Sequence, residues 1–448
     1  MDLPAKWENL KGASDVNLVL EIEWWKTFHD PILDHLILDL IQSNPDYLEA
    51  LARIDEARAQ VNSATALLFP EIDATGSFTR NLNSLNNFQS GGNFARESNA
   101  YNLGAQTSWE IDLFGRIRRG EEAVVATYES QISDTRYVLL SLISELAQNY
   151  VLLRQTQAQY LATEKNAQAW DDIVRLNESL LQAGRISEVD LLQARANQEQ
   201  TESSLAPLTS SIKVTMHKLA ILTGKNPTDL YALLEKQLPT PQVHDEIFAN
   251  LPSSLLEHRP DIKKAEYDLA AQTAQIGVAM GDLLPKFSFT GDVGFASKKS
   301  HNWFNHDSFY SSFGPTFTWA IIDFGRVRAN IAAQEALRNQ AYYHYKSVVL
   351  TALKEVEDGL VNLSSEGQRF DQLRMAYKSS QEAASLAQSR YEAGLEDFIV
   401  VLNTQILRNA QEINMIQSQG NLSLNAINLY KALGGGWRIS TQEKNRGR

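Results

Sequence analysis

Trp109-Glu-Ile-Asp-Leu-Phe-Gly-Arg116 recurs, slightly altered, as Trp319-Ala-Ile-Ile-Asp-Phe-Gly-Arg326. Each copy closes a run of alternating apolar and polar residues and opens a very long helical pattern. Phe114-Gly115-Arg116 and Phe324-Gly325-Arg326 stand 210 positions apart. Glycine reaches backbone angles closed to other residues, so Gly115 and Gly325 suit a sharp switch from strand to helix. A strand entering a long helix, twice, is what any account of the chain must explain.

Outward from these junctions the rest of the chain also repeats. In the first half a helical pattern covers 31–68 and is broken at Asn44-Pro45-Asp46, where Asn44 can cap and Pro45 can open the next helix. Alternation over 71–112 reads as a long antiparallel hairpin. Ile72, Ala74, Gly76 and Phe78 share one face of its first strand; Tyr101, Leu103, Ala105, Thr107, Trp109 and Ile111 share one face of the return. A helical region over 119–223 follows. Its first part, 119–183, would be roughly 97 Å long at ~1.5 Å per residue. Gly184 ends that part, Ser187 caps the next, and Pro207 should kink or break it.

A looser stretch over 225–251 leads to a second half covering 252–433, with helices over 252–284 and 327–433 and a hairpin over 286–323. His258-Arg259-Pro260-Asp261 answers Asn44-Pro45-Asp46, and Leu284-Pro285 answers Phe69-Pro70, both at an offset of 215. Gly394 answers Gly184 at 210, so the second hairpin loop is five residues shorter. Phe313, Pro315, Phe317, Trp319 and Ile321 share a face of the fourth strand. This is an internal duplication. Residues 1–30 and 434–448 lie outside it.

Composition narrows the classes. The 448 residues are 43% hydrophobic and 21% charged, which is a folding composition. Cysteine is absent, excluding disulfides, thiolate metal sites and thiol nucleophiles. The net charge of −13 and the lack of a basic patch argue against nucleic acid. No apolar run approaches the ~18 residues of a membrane helix. Met1-Asp2-Leu3-Pro4 reads as a start on a mature chain rather than a signal peptide. Any membrane contact would therefore be made by strands.

Four alternating strands leave an apolar face uncovered and two edges bare. In lipid only a closed barrel satisfies the backbone, and such barrels begin at about eight strands. Three copies would supply twelve. Trp109 and Trp319 then fall at strand ends, where interfacial aromatics belong. The competing reading is two hairpins in a soluble α+β domain with Trp in its core. The Phe/Ser/Thr/Gly alternation favours the barrel. The long helices, with small pairs such as Ala158/Ala162 and Ala383/Ala387, could wall a water-filled tube or form a solvated coiled coil.

Together, the duplicated Phe-Gly-Arg junctions, the Leu-Phe-Pro and Leu-Leu-Pro hairpin entries, Arg259-Pro260-Asp261 and the Ala-Gly turns at Gly184 and Gly394 resemble the outer-membrane efflux protein family. These are the TolC-like channels, and the likeness is to their OprM/NodT-type lipoprotein branch. It covers nearly the whole chain. It implies a mainly α fold with β: a trimer whose twelve-stranded transmembrane barrel continues into a long periplasmic helical barrel. A mixed equatorial domain would come from 1–30, 225–251 and 434–448. It also implies a passive exit duct for small molecules in a tripartite pump, in the outer membrane and reaching into the periplasm. Its partners would be a periplasmic adaptor and an inner-membrane transporter; no cofactor and no catalysis are implied. A type I secretion duct for polypeptides shares this fold, and a soluble coiled-coil scaffold is the reading from another class. That branch begins with a lipidated Cys, which this chain lacks.

The resemblance puts the turns at Gly184 and Gly394 at the periplasmic tip, where the tube closes and the adaptor docks. Gate and docking candidates are Gly184, Arg185, Ser187 and Asp190 in the first repeat, and Gly394, Glu396 and Asp397 in the second. Carboxylates from three chains would form an acidic ring, with Arg185 as a counter-ion. The competing reading is ordinary charge at helix N-termini. Position 190 maps to Val400, and Ser187 to Asp397, so the second repeat has moved its carboxylate by about one turn. His301 and His306 fall in the second hairpin loop beside Trp303 and Phe304, as surface-loop residues. Asp112 and Asp323 should pair with Arg116, Arg118, Arg326 or Arg328 as structural groups.

Overall fold

The computed structural model describes residues 23–82, 84, 96–242 and 259–435. In chain order these form α1 (Pro31–Ser43), α2 (Pro45–Ala66), β1 (Glu71–Leu82), β2 (Glu97–Ile111), α3 (Arg116–Gln182), α4 (Glu188–Ser203), α5 (Leu205–Leu222), α6 (Tyr231–Leu234), α7 (Pro260–Gly281), β3 (Lys286–Ser297), β4 (Phe309–Thr318), α8 (Arg326–Glu392) and α9 (Phe398–Ala432). The chain is thus mostly helical with one small sheet. It divides into two compact units, one of Met1–Leu51, Ser133–Lys263 and Ser347–Arg448, the other of Ala52–Ile132 and Lys264–Lys346.

The second of these units holds the sheet. Both hairpins form, and they join in one antiparallel sheet of order β1-β2-β3-β4. The hairpins have matching registers: Glu71 faces Ser108 in one, and Lys286 faces Thr318 in the other. These pairs are equivalent under the offsets of 215 and 210. Where they join, Ile111 faces Phe287. The fourth strand is shorter than its alternation predicts. It ends at Thr318, whose partner Lys286 is the first residue of β3. Trp319 and Ile321 lie beyond that last rung, with no strand bonded to them among the described residues. Glycine lets two helices approach here: a Cβ on Gly277 or Gly281 of α7 would come within 2.8 Å of the Arg119 or Arg116 side chain of α3.

The other unit has its main core around α1. Trp24 and Trp25 of the short 3-10 segment Trp24–Phe28 are buried with Leu33, Leu36, Ile37 and Leu40 against Ile143, Leu146 and Tyr150 of α3. Trp24 stacks on Tyr430 of α9 with ring centroids 5.2 Å apart. Asp30 accepts from the backbone N–H of Ile32 and Leu33, capping α1, and its other oxygen accepts from the Tyr150 hydroxyl at 2.6 Å. Buried Asn44 accepts from Tyr47 N–H, as its cap position predicts, and donates to the Leu222 carbonyl that ends α5.

Arg259 of the Arg-Pro-Asp motif is buried. It pairs with Asp261 and Glu355 and donates to the Ala432 carbonyl at the end of α9. The helix expected over 252–284 runs from Pro260 to Gly281, with 252–258 outside the described residues. Most of the proposed equatorial segments, namely 1–22, 243–251 and 436–448, also lie outside them. Pro207 does break its helix, but the break falls at Ser204, three residues earlier. A proline removes the bond to the carbonyl four residues back and clashes with it, and that carbonyl belongs to Ser203.

Candidate functional site

The two helix turns share one geometry. Gly184 and Gly394 sit at φ +66 and +70, the left-handed region that ends helices most cheaply with glycine. After each, the chain turns back on the same pair of bonds. Arg185 N–H donates to Leu180 and Gly184 N–H to Leu181; Leu395 N–H donates to Arg390 and Gly394 N–H to Tyr391. The loops then enter α4 and α9 differently. Ser187 and Asp190 form a reciprocal cap: Asp190 N–H donates to Ser187 Oγ, and Ser187 N–H to Asp190 Oδ2. Asp397 holds the equivalent position before α9 and makes no side-chain cap bond.

The charges at these turns are distributed unevenly. Asp190 is committed to its cap, and Glu396 accepts from Arg390 Nε at 3.1 Å. Asp397 is exposed, with no counter-ion among the described residues. Arg185 does not serve these carboxylates. Its guanidinium lies over Gly394, where an added Cβ would sit 2.7 Å from Nη2. The first turn therefore reaches the second through an arginine and a bare backbone rather than through an ion pair.

Beneath the turns, Tyr391 and Asn177 form a buried bridge that sequence reasoning did not find. The Tyr391 hydroxyl donates to Asn177 Oδ1 at 2.8 Å, and Asn177 Nδ2 donates to the Asp190 carbonyl at 3.4 Å. Burial, followed by the nearby Asp190 charge, pushes the Tyr391 phenol up to about 12. Trp170, Ile173, Leu191, Phe398, Val401 and Leu402 surround this bridge. Neither Tyr391 nor Asn177 carries a charge or a motif; their only signal is a place within one or two turns of a helix-ending glycine.

At the strand–helix junctions Gly115 and Gly325 take φ +80 and +87, as the sequence predicts. The aspartates act mainly as helix caps. Asp112 accepts from the backbone N–H of Ile117 and Arg118 and pairs with the Arg118 side chain. Asp323 accepts from Gly325 and Val327 N–H; the Val327 bond, then the Gly325 bond, holds its carboxyl below the usual range. Arg116 turns instead to Glu110, in a two-pronged pair at 3.0 and 2.7 Å. Arg326 has no such pair among the described residues; Ala320 occupies the position equivalent to Glu110. Asp323 also stands one residue nearer its glycine than Asp112 does. The shorter path leaves Phe324 at φ +51, in the region that favours glycine.

Trp109 and Trp319 have equivalent bonds. Trp109 Nε1–H donates to the Leu68 carbonyl at 3.0 Å, and Trp319 Nε1–H to the Leu283 carbonyl at 3.1 Å. Each ties the sheet to the turn that ends the preceding helix. A cavity of about 770 Å³ opens beside the first tryptophan, lined among others by Leu67, Phe69, Trp109, Glu110, Arg116 and Glu121. His301 and His306 lie in the short 3-10 segments Ser300–Asn302 and His306–Ser308. Beside them Trp303 stacks on Phe304 at 5.1 Å.

The family described as outer membrane efflux protein matches residues 36–225 and 251–435, both repeats. The chain belongs to that family. It is an outer-membrane efflux channel, and the duplicated strand–helix junctions and helix turns are its internal repeat. It is 32% identical over 417 residues to the toluene efflux pump outer membrane protein TtgI of Pseudomonas putida, covering 92% of this chain and 87% of that one. Nodulation protein T of Rhizobium leguminosarum bv. trifolii is 28% identical, with 90% and 85% covered. Among solved structures, the outer-membrane channel OprN superposes with a TM-score of 0.92 at 32% identity, over 97% of each chain. The MtrE channel of Neisseria gonorrhoeae, in its open state, gives 0.87 at 26%, over 98% and 97%.

Proposed function

We propose that three copies of this efflux-family chain form the passive exit duct of a tripartite pump. Each copy contributes four strands to a closed twelve-stranded barrel, and the long helices wall the periplasmic part of the conduit. The carrying observation is the sheet: four strands with two bare edges do not close alone, and lipid demands closure. The exported class is small molecules, supported by the similarity to proteins named for toluene, solvent and antibiotic efflux. The energy comes from an inner-membrane transporter reached through a periplasmic adaptor. The duct itself performs no catalysis.

Within that reading, the turns at Gly184 and Gly394 are the end at which the duct narrows and the adaptor docks. Asp397 is the carboxylate with no local commitment and is the strongest contributor to an acidic constriction. Trp109 and Trp319 lie at the level of the membrane interface. The test is deletion of the gene. Tolerance to organic solvents and antibiotics falls and polypeptide export is unchanged. Unchanged tolerance with lost export would assign the duct to secretion instead.

A further inference from the structure

The second hairpin closes in a built loop rather than a bare turn. Residues 298–308, between β3 and β4, read Lys-Lys-Ser-His-Asn-Trp-Phe-Asn-His-Asp-Ser. Ser297 Oγ accepts from Lys299 N–H and donates to the Lys299 carbonyl. Two 3-10 turns follow, and Ser308 Oγ donates to the Asn302 carbonyl between them. The loop folds back over one face of the sheet. Trp303 Nε1–H donates to the Phe295 carbonyl at 3.3 Å, and its ring centroid lies 5.4 Å from that of Tyr101 on β2. Phe304 stacks on Trp303 and meets Phe295 at 5.8 Å. These rings form one shelf, yet Phe304 stays 63% exposed.

The register fixes the face and the level of that shelf. Tyr101 shares its side of the sheet with Leu103 and Trp109, because alternate residues of a strand face the same way. This is the apolar side, where Leu103 faces Phe295 and Trp109 faces Phe289. Tyr101 to Trp109 is nine residues, which matches the ~9–11 that a tilted strand needs to cross the hydrocarbon layer. Trp109 closes one end of the span; Tyr101 and Trp303 close the other. The first end leads into α3 at Gly115. The second is the hairpin end, which faces out of the cell when the helices lie in the periplasm.

Beside the shelf stand Lys298, Lys299, His301 and His306, all exposed, with Asp307 the one carboxylate of the segment. Neither lysine side chain has an ion pair or a hydrogen bond among the described residues. The chain as a whole carries −13, and the equivalent segment of the first repeat, 83–95, contains no charged residue in its sequence. Uncommitted positive charge is therefore particular to the loop that carries the rings.

We infer that this loop holds a phosphorylated lipid headgroup of the outer leaflet, with Lys298 and Lys299 on the phosphate and Trp303 and Phe304 against the apolar part below it. The inference rests on the membrane-crossing strands proposed above and gives them a ligand. Aromatic rings belong at the level where headgroups meet hydrocarbon. Lysines at that level meet the phosphates, and each adds about fivefold to affinity for an anionic lipid surface.

The full chain, purified in detergent, is titrated at low ionic strength with bisphosphorylated lipid A and with the same lipid dephosphorylated. Native mass spectrometry counts the bound lipid. The parent should bind the phosphorylated form about thirtyfold tighter, the product of two lysines. Lys298→Gln with Lys299→Gln should bring the two lipids to parity. Both side chains are exposed, and circular dichroism checks that the variant keeps its helices. Trp303→Ala should weaken both lipids equally, and millimolar inorganic phosphate should displace neither.

Equal affinity of the parent for the two lipids, or a preference that survives the double lysine change, would overturn the assignment. Displacement by inorganic phosphate would make this a site for a free anion and overturn the lipid. A protein that stays monodisperse without detergent and binds neither lipid would overturn the membrane-crossing reading itself, and the site with it.

Discussion

The Arg185 guanidinium from the first helix turn covers Gly394 in the second, so closely that a Cβ there would meet Nη2 at 2.7 Å. Gly184 holds the same left-handed φ, but an added Cβ at that site meets nothing within 4 Å. The contact is made by the tip of an exposed, flexible side chain, which can swing away at little cost. Gly184→Ala and Gly394→Ala should therefore lose similar amounts, each about 1 kcal/mol for the left-handed backbone. Arg185→Ala should leave the cost of Gly394→Ala unchanged. Urea unfolding followed by helical circular dichroism measures the cycle, and a clearly larger loss at Gly394 that vanishes with Arg185→Ala would show that the guanidinium is held in place.

The buried bridge below the turns carries a pH signature. Tyr391 is held near 12 in the folded chain, and a free tyrosine ionises near ~10. The folded state therefore keeps its proton where the unfolded state loses it. The stabilisation is complete below about pH 10 and is lost as pH rises toward about 12. Tyr391→Phe should remove that part of the alkaline slope, seen as the difference between the two stability–pH curves. Identical slopes above pH 10 would show that the phenol is not so held.

At the junctions the two repeats should respond differently to loss of their arginines. Arg116→Ala breaks a half-buried, two-pronged pair with Glu110 and should cost about 1–2 kcal/mol. Arg326→Ala removes a side chain that has Ala320 at the position equivalent to Glu110 and acts on Asp323 only as a minor charge effect, so it should cost clearly less than Arg116→Ala. Restoring the missing carboxylate by Ala320→Glu should make Arg326→Ala costly. Equal losses at Arg116 and Arg326 in the parent chain would contradict this asymmetry.

The tip charges make a prediction about conduction. Asp190→Asn, Glu396→Gln and Asp397→Asn together should raise single-channel conductance in a planar bilayer. Most of that effect should come from Asp397→Asn, because Asp190 is bound into its cap and Glu396 is paired with Arg390. Unchanged conductance in the triple variant would remove these residues from a gate.

Sequence reached the architecture because glycine, proline and strict alternation are local and directional. Gly115, Gly184, Gly325 and Gly394 all stand at the left-handed positions their placement predicts. The features it missed depend on distance in space. Pro207 acts on the carbonyl of Ser203, so its break appears three residues before it. The end of β4 is set by where its partner β3 begins, which alternation does not encode. Charge alone pairs Arg185 with carboxylates, but its guanidinium lies on a glycine from the other repeat. Charge likewise pairs Asp112 and Asp323 with arginines, whereas at both junctions the carboxylate accepts from backbone N–H groups, and Arg118 alone forms an expected ion pair among the described residues. Tyr391 and Asn177 were invisible because uncharged polar residues acquire a role only when burial brings them together.

The central claim is that the four strands are one third of a barrel. It is tested most directly by the native mass of the detergent-purified protein, corrected for bound detergent. The account predicts three times the 50.2 kDa mass of one chain. A monomer or a dimer stable without detergent would leave the strands unable to close and would contradict it.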